Sequence, residues 1–207
     1  MVKSQRMLVA SMLAIACAAG LSAPGRAHAT PAATSAAAPG PWCGGTLWKL
    51  MTLSDSARSS VKWTPTPTTI VDIANTPVPA RAPSTRSTPF QKQVWKLSAV
   101  VDQYRVASNG EIVLVLFDIA TSRYMNAYLP NPTCLPKTAR GRGQMIAARD
   151  ALGHCPAPTV GWQPLGVSVE ITGVGFWNPL HTTKDALPTG AELRPVTGLT
   201  ITTGCGT

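Results

Sequence analysis

Apolar and polar positions alternate most clearly in the second half of the chain. From Val94 to Val101 the pattern has a period of two, which is typical of a half-buried β-strand. After Gln103 the phase of the alternation shifts, and this indicates a bulge or a sharp bend. Asn109-Gly110 predicts a tight hairpin turn, and the apolar run 112–119 predicts a central strand after it.

A third strand is predicted at 123–129, followed by the only strong helical pattern, at 142–152, with Gly153 as its stop. A fourth strand is predicted around Val167–Ile171 and a last strand at 192–201, with a glycine-rich loop between the two. In the third strand the alternation assigns three side chains to the face away from the core: Tyr124, Asn126 and Tyr128.

The predicted order is therefore β-β-β-α-β-β with a bent first strand. That order is the order of the five-stranded OB barrel, so the sequence predicts a mainly β, OB-like single domain over residues 42–205. SH3-like and other small barrels remain alternatives. The segment 42–89 carries large apolar residues but is interrupted by prolines, so it is predicted to wrap the barrel as extended pieces and loops.

Residues 1–29 have the pattern of a secretory signal peptide. Lys3 and Arg6 precede an apolar run at 7–21, and Ala27-His28-Ala29 supplies a cleavage site. Residues 30–41 are small and polar and predict a flexible leader. We expect a secreted or periplasmic protein with no transmembrane segment after signal removal. The alternative is lipidation at Cys17, which follows a degenerate lipoprotein sequence.

Four cysteines remain after signal removal, and an even number in an oxidising compartment predicts two disulfides. The favoured pairing joins Cys134 to Cys155 and Cys43 to Cys205 among three possible connectivities. A zinc site is the alternative use of four cysteines, but the chain has no Cys-x-x-Cys pair after the signal. No metal and no cofactor are expected.

Several short sequences of this chain resemble an uncharacterised family of secreted bacterial proteins. They are Cys43-Gly44 with Trp48, Thr68-Thr69-Ile70, Pro130-Asn131-Pro132-Thr133-Cys134, the run from Gly173 to His181, and the run from Gly190 to Leu199. The resemblance implies a secreted single-domain protein and implies no activity. The chain departs from the family at Arg194, where relatives have His, and at 182–185, where relatives are glycine-rich. A catalytic role of that histidine therefore cannot be transferred.

Signal removal leaves 15 basic and 9 acidic residues, a net charge of +6, which favours contact with anionic partners. An anionic polymer, either nucleic acid or an envelope glycan, is the expected ligand of a monomeric binding protein. Aromatic and basic residues on and near the third strand form the predicted binding face. They are Arg123, Tyr124, Asn126, Tyr128, Lys137, Arg140 and Arg142.

Two other function classes stay open. His181, Asp185 and Glu192 lie in or next to one predicted loop, and a histidine between two carboxylates is suited to general-base catalysis in a hydrolase. No recognisable serine or cysteine nucleophile accompanies them, so a binding role is favoured over an enzymatic one. The third class is a protein-binding envelope factor or inhibitor.

Overall fold

The computed structural model describes residues 43–180 and 182–205. The predicted signal peptide, the flexible leader and the alternative lipidation site Cys17 lie outside the described residues, as does His181. No helix in the described ranges is long and apolar enough to cross a membrane.

The fold is a six-stranded mixed β-sheet arranged in a ring. Its strands in chain order are β1 (Lys62–Pro67), β2 (Gln93–Val106), β3 (Ile112–Asp118), β4 (Arg123–Leu129), β5 (Gln163–Trp177) and β6 (Ala191–Thr203). Strand β2 pairs antiparallel with both β3 and β5, which is how the ring returns to its starting strand. Strands β4 and β6 run parallel and meet at Ala127 and Leu193, and β1 adds to β2 in parallel outside the ring.

The first strand of the ring was predicted to have a bulge or a sharp bend, and it has a register shift near the predicted position. The register of β2 shifts between Val101 and Gln103 against both of its neighbours. Against β3 the extra residue is Asp102 of β2, whereas against β5 the extra residue lies in β5, between Pro164 and Val167. A bulge of this kind bends the strand and lets one long β2 serve two partners. The predicted limits of β4 agree with the structure, and β3 ends one residue earlier than predicted.

The core fills the inside of the ring with alternate residues from its strands. Among its fully buried members are Leu114, Leu116, Met125, Leu129, Ile171 and Leu193. The Trp177 indole, at the end of β5, packs against the Phe90 side chain, with 5.0 Å between the centroids of the two aromatic rings. Burial of these apolar side chains supplies the main stabilisation of the fold.

Within the described ranges, three short α-helices accompany the sheet: α1 (Trp48–Met51), α2 (Ile70–Ala74) and α3 (Arg142–Asp150). Helix α2 begins with a capping box in which Thr69 and Asp72 each accept a hydrogen bond from the other's backbone amide. Helix α3 buries Met145 and Ala148 and continues as a 3-10 turn at Ala151–His154. The predicted helix therefore exists, but its last turn is tighter than an α-helix.

The predicted N-terminal wrap contains one strand, β1, and is fixed by a buried arginine. The Arg86 side chain donates hydrogen bonds to the Leu50 and Gln91 carbonyls at 2.9 and 2.8 Å. It also forms an ion pair with Asp55 at 2.9 Å. One guanidinium thus joins helix α1, the Asp55 turn and the 3-10 turn at Phe90–Lys92.

The predicted loop after the fourth strand begins later than expected. Strand β5 continues through Gly173 and Gly175 to Trp177. A Cβ atom at Gly175 would collide with the Phe90 backbone, so this glycine serves close packing of a strand rather than a turn. The loop between the last two strands covers 178–190.

The favoured disulfide pairing is wrong, although all four cysteines are bonded. Cys43 pairs with Cys134 and Cys155 with Cys205, at Cα separations of 5.3 and 4.8 Å. Helix α3 lies between Cys134 and Cys155 in the chain, and its nine residues span about 13 Å. The fold brings each of these two cysteines beside a cysteine from a distant segment, since a disulfide needs Cα atoms within about 7 Å.

We expect non-reducing peptide mapping of the oxidised protein to recover Cys43 linked to Cys134 and Cys155 linked to Cys205. Removing either bridge should cost roughly 2–5 kcal/mol of unfolding free energy. A Cys134–Cys155 peptide as the main species would contradict this connectivity.

Candidate functional site

The predicted binding face of β4 lies beneath the 178–190 loop. Asn126 and Tyr128 are only 0% and 5% exposed. The Asn126 side-chain amide donates to the Lys184 carbonyl at 3.0 Å, and the Tyr128 hydroxyl hydrogen-bonds to Thr183 Oγ1 at 2.9 Å. Neither side chain therefore presents a surface on which a base or a sugar could stack.

Tyr124, the third member of the face, is half-buried. Its ring packs on Phe117 of the neighbouring strand, with 4.6 Å between centroids. The structure thus separates Tyr124 from the other two side chains, which are joined to the covering loop.

A buried ionic cluster lies next to Tyr128. The Arg194 guanidinium stands 4.2 Å from the centre of the Tyr128 ring. Its Nε and Nη2 atoms both donate to the carboxylate of Glu111, which is 0% exposed. Its Nη1 atom lies 3.5 Å from Glu192 Oε1. A single guanidinium therefore faces two buried carboxylates, and its planar fork is fully directed at the first.

The protonation of this cluster follows from its burial. Burial raises the pKa of Glu192 to about 7, although Arg194 and a hydrogen bond from Asn178 act in the opposite direction. Burial also raises the pKa of the Tyr128 phenol, so this group stays protonated. Burial lowers the pKa of Arg194, but the charges of Glu111 and Glu192 outweigh this effect and raise the value.

The residues of the hydrolase alternative have different partners. Asp185 is exposed and forms an ion pair with Lys184 at 3.0 Å. Glu192 is buried and accepts a hydrogen bond from Asn178 at 3.1 Å. His181 lies outside the described residues. The two carboxylates thus have separate polar partners, and the hydrolase alternative, which needs His181, stays a prediction.

The predicted basic residues divide into two groups. Arg140 donates to the Arg58, Ser59 and Val61 carbonyls and lies 4.8 Å from the Trp63 ring centre, so it holds the wrap in place. The other three predicted residues are exposed and form no ion pair within the described part of the chain: Arg123, Lys137 and Arg142.

A basic cleft that the sequence did not reveal lies between β1 and the start of β2. It has a volume of about 400 Å³. The residues that line it are Ser60, Lys62, Thr66, Ser87, Pro89, Lys92, Gln93 and Trp95. We call it the Lys62–Lys92 cleft.

The walls of the Lys62–Lys92 cleft are fixed by hydrogen bonds. The Trp95 indole donates to the Phe90 carbonyl at 3.0 Å, which sets the orientation of its ring. The Gln93 side-chain amide donates to the Thr64 and Val94 carbonyls, both at 2.9 Å. The cleft thus combines two cations, a partly exposed indole and several hydroxyl groups. The only sequence signal for it is the local pair Lys92 and Trp95, because Lys62 is 30 residues away.

No group of three potential metal ligands occurs among residues 43–180 and 182–205. Comparisons of the chain with protein-family models, curated proteins and solved structures give no match. The family resemblance drawn from the sequence therefore stays a prediction, and the functional argument depends on the chain itself.

Proposed function

We propose that this chain is a secreted or periplasmic binding protein with an OB-type barrel that engages an anionic polymer. The distribution of charge over the described residues carries the proposal. Fifteen lysines and arginines and nine acids lie in this part of the chain, but only four of the basic side chains form ion pairs. Five of the nine acids are used in those pairs.

The unpaired positive charge is concentrated at the surface. Six exposed cations have no carboxylate partner among the described residues: Lys49, Lys62, Arg81, Arg123, Lys137 and Arg142. Two of the acids outside ion pairs are engaged locally, Asp72 in the cap of α2 and Asp118 in the turn after β3. An unbalanced surface of this kind attracts polyanions and speeds their association.

The strand order supports the OB assignment. Around the ring the order is β2-β3-β4-β6-β5 and back to β2, with β4 and β6 parallel. The first ring strand is bent, and α3 connects the third ring strand to the fourth. These features match the Greek-key arrangement of the OB barrel, a fold that binds oligonucleotides and oligosaccharides.

The extracytoplasmic location is supported by two independent features. The first is the signal-peptide pattern of residues 1–29. The second is the pair of disulfides, which persist in oxidising compartments and are rare in the cytosol.

We expect the protein to bind a polyanion, with polygalacturonate and oligo-dT as probes, and to lose affinity steeply as salt rises. With two neutralised charges, a tenfold increase in salt should weaken binding of the single strand about 25-fold, because counterions are released on binding. Fluorescence anisotropy of labelled probes at several salt concentrations measures this slope. Absence of binding to both probes at low salt would overturn the proposal and favour the protein-binding alternative.

A further inference from the structure

We infer that the Lys62–Lys92 cleft binds an acidic polysaccharide, with carboxylate groups of the sugar chain meeting the two lysines. The inference rests on the proposed function and names the site and the chemical class of its ligand. Three properties of the cleft carry it: the sign of its charge, its preformed shape and the kinds of side chain that line it.

The charge of the cleft is positive and uncompensated. Lys62 and Lys92 both line it, and neither forms an ion pair with any carboxylate of the described residues. No Asp or Glu from the described part of the chain lines the cleft. Lys96 of β2 is a contrast, because its ammonium group pairs with Glu170 at 2.8 Å. Two cations in one concave site attract the same anionic ligand.

The shape of the cleft follows from the irregular pairing of β1 with β2. Lys62 is opposite Gln93 and Thr66 is opposite Trp95, so four steps along β1 match two steps along β2. The extra residues make β1 bulge away from its partner. Pro65 and Pro67 lack amide hydrogens, which protects this outer strand from pairing with another chain. The cleft is therefore a built feature of the backbone, and its volume of about 400 Å³ lies in the usual range of ligand sites.

The side chains of the cleft fit a sugar better than a nucleobase. Trp95 is its one aromatic residue, and an indole offers an apolar face for the C–H groups of a sugar ring. Ser60, Thr66 and Ser87 supply hydroxyl groups suited to sugar hydroxyls. Single-stranded nucleic acid is instead held by successive stacking aromatics, and the predicted stacking residue Tyr128 is buried under the 178–190 loop.

The inference is tested with two double variants of equal charge change. Lys62→Glu with Lys92→Glu reverses the charge of the cleft. Lys49→Glu with Arg81→Glu reverses two exposed cations that neither line the cleft nor belong to the predicted binding face. We expect the cleft variant to bind polygalacturonate at least about tenfold more weakly than the parent at low salt, and the control variant to lose less than about threefold. Circular dichroism and urea midpoints establish that both variants fold. Lys62→Gln with Lys92→Gln gives a milder second variant, with an expected loss between the two.

Each outcome has a separate meaning. Equal losses in the two Glu variants overturn the cleft as the site but leave the proposed function standing. The parent protein could bind oligo-dT more tightly than polygalacturonate, and the cleft variant could lose that oligo-dT binding. This result overturns the sugar assignment and makes the cleft a nucleic-acid site. Failure of the parent protein to bind either polymer at low salt overturns the proposed function itself.

Discussion

Replacing Arg194 with Leu is expected to lower the free energy of unfolding by about 3–5 kcal/mol at neutral pH. The guanidinium holds the fully buried Glu111 carboxylate with two donors and approaches Glu192 as well. The substitution leaves Glu111 in the interior without its counter-charge, and an uncompensated buried charge is far costlier than a lost surface pair. Urea unfolding with the disulfides intact measures the loss.

The control for this prediction removes both charges. The double variant Glu111→Gln with Arg194→Leu should be more stable than Arg194→Leu alone, because the Glu111 charge is then no longer left buried without its partner. An Arg194→Leu protein whose unfolding free energy stays within about 1 kcal/mol of the parent would contradict the prediction.

We expect the unfolding free energy of the parent protein to fall as the pH rises from about 4.5 to about 7. Replacing Glu192 with Gln is expected to remove most of this fall. Burial raises the pKa of Glu192 from 4.5 to about 7 on folding, so the folded state binds the proton more tightly than the unfolded state. The contribution of Glu192 to the unfolding free energy is therefore complete below the pKa that it has in the unfolded state. This contribution is lost as the pH rises through the pKa that it has in the folded state. A pKa shift of this size corresponds to about 3 kcal/mol of unfolding free energy.

The surroundings of Glu192 include an acceptor for the proton of its neutral carboxyl group. Ala127 and Leu193 are partners across β4 and β6, which puts Asn126 next to Glu192 on the same face. Asn126 Oδ1 and Glu192 Oε1 are both buried acceptors without a hydrogen-bond donor in the described part of the chain. The neutral acid can supply that donor, and so can the side-chain amide of the Glu192→Gln variant, whereas the carboxylate cannot.

The measurement is urea unfolding of parent and variant from pH 4 to pH 8. Glu192→Gln should match the parent at the acid end and exceed it by up to about 3 kcal/mol at pH 8. Glu170→Gln is the matched control, because Glu170 is a partly exposed carboxylate paired with Lys96 and should leave the pH profile nearly unchanged. Parallel profiles for the parent and Glu192→Gln would contradict the prediction.

The strands of the ring could be predicted because their information is local. Period-two alternation and one phase slip sufficed for β2, and the apolar run with its Asn109-Gly110 turn sufficed for β3. Helix α3 was found from its periodicity. The two short helices in the wrap were not, since segments of four and five residues carry too little periodic pattern to distinguish them from turns.

The candidate site was less predictable. The alternation of apolar and polar residues correctly separated the two faces of β4. It could not indicate that the face with Asn126 and Tyr128 is covered by a loop. Asn126 and Tyr128 were therefore interpreted as outward-facing, whereas the 178–190 loop buries them. Glu192 belongs to the catalytic hypothesis because His181 and Asp185 are close to it along the chain. Its partner in the buried cluster, Glu111, is 81 residues away, so the sequence does not connect the two.

The amino-acid pattern was thus sufficient for the elements of the ring, its bent first strand, and four cysteines fit for two disulfides. The folded chain was needed to establish which cysteines pair, which face of β4 is covered, and which lysines share a cleft. The physical reason is that strand alternation and turn chemistry act between near neighbours in the chain. The Cys43–Cys134 bridge, the Glu111–Arg194 pair and the Lys62–Lys92 cleft instead join residues 91, 83 and 30 positions apart, and these meet only in the folded chain.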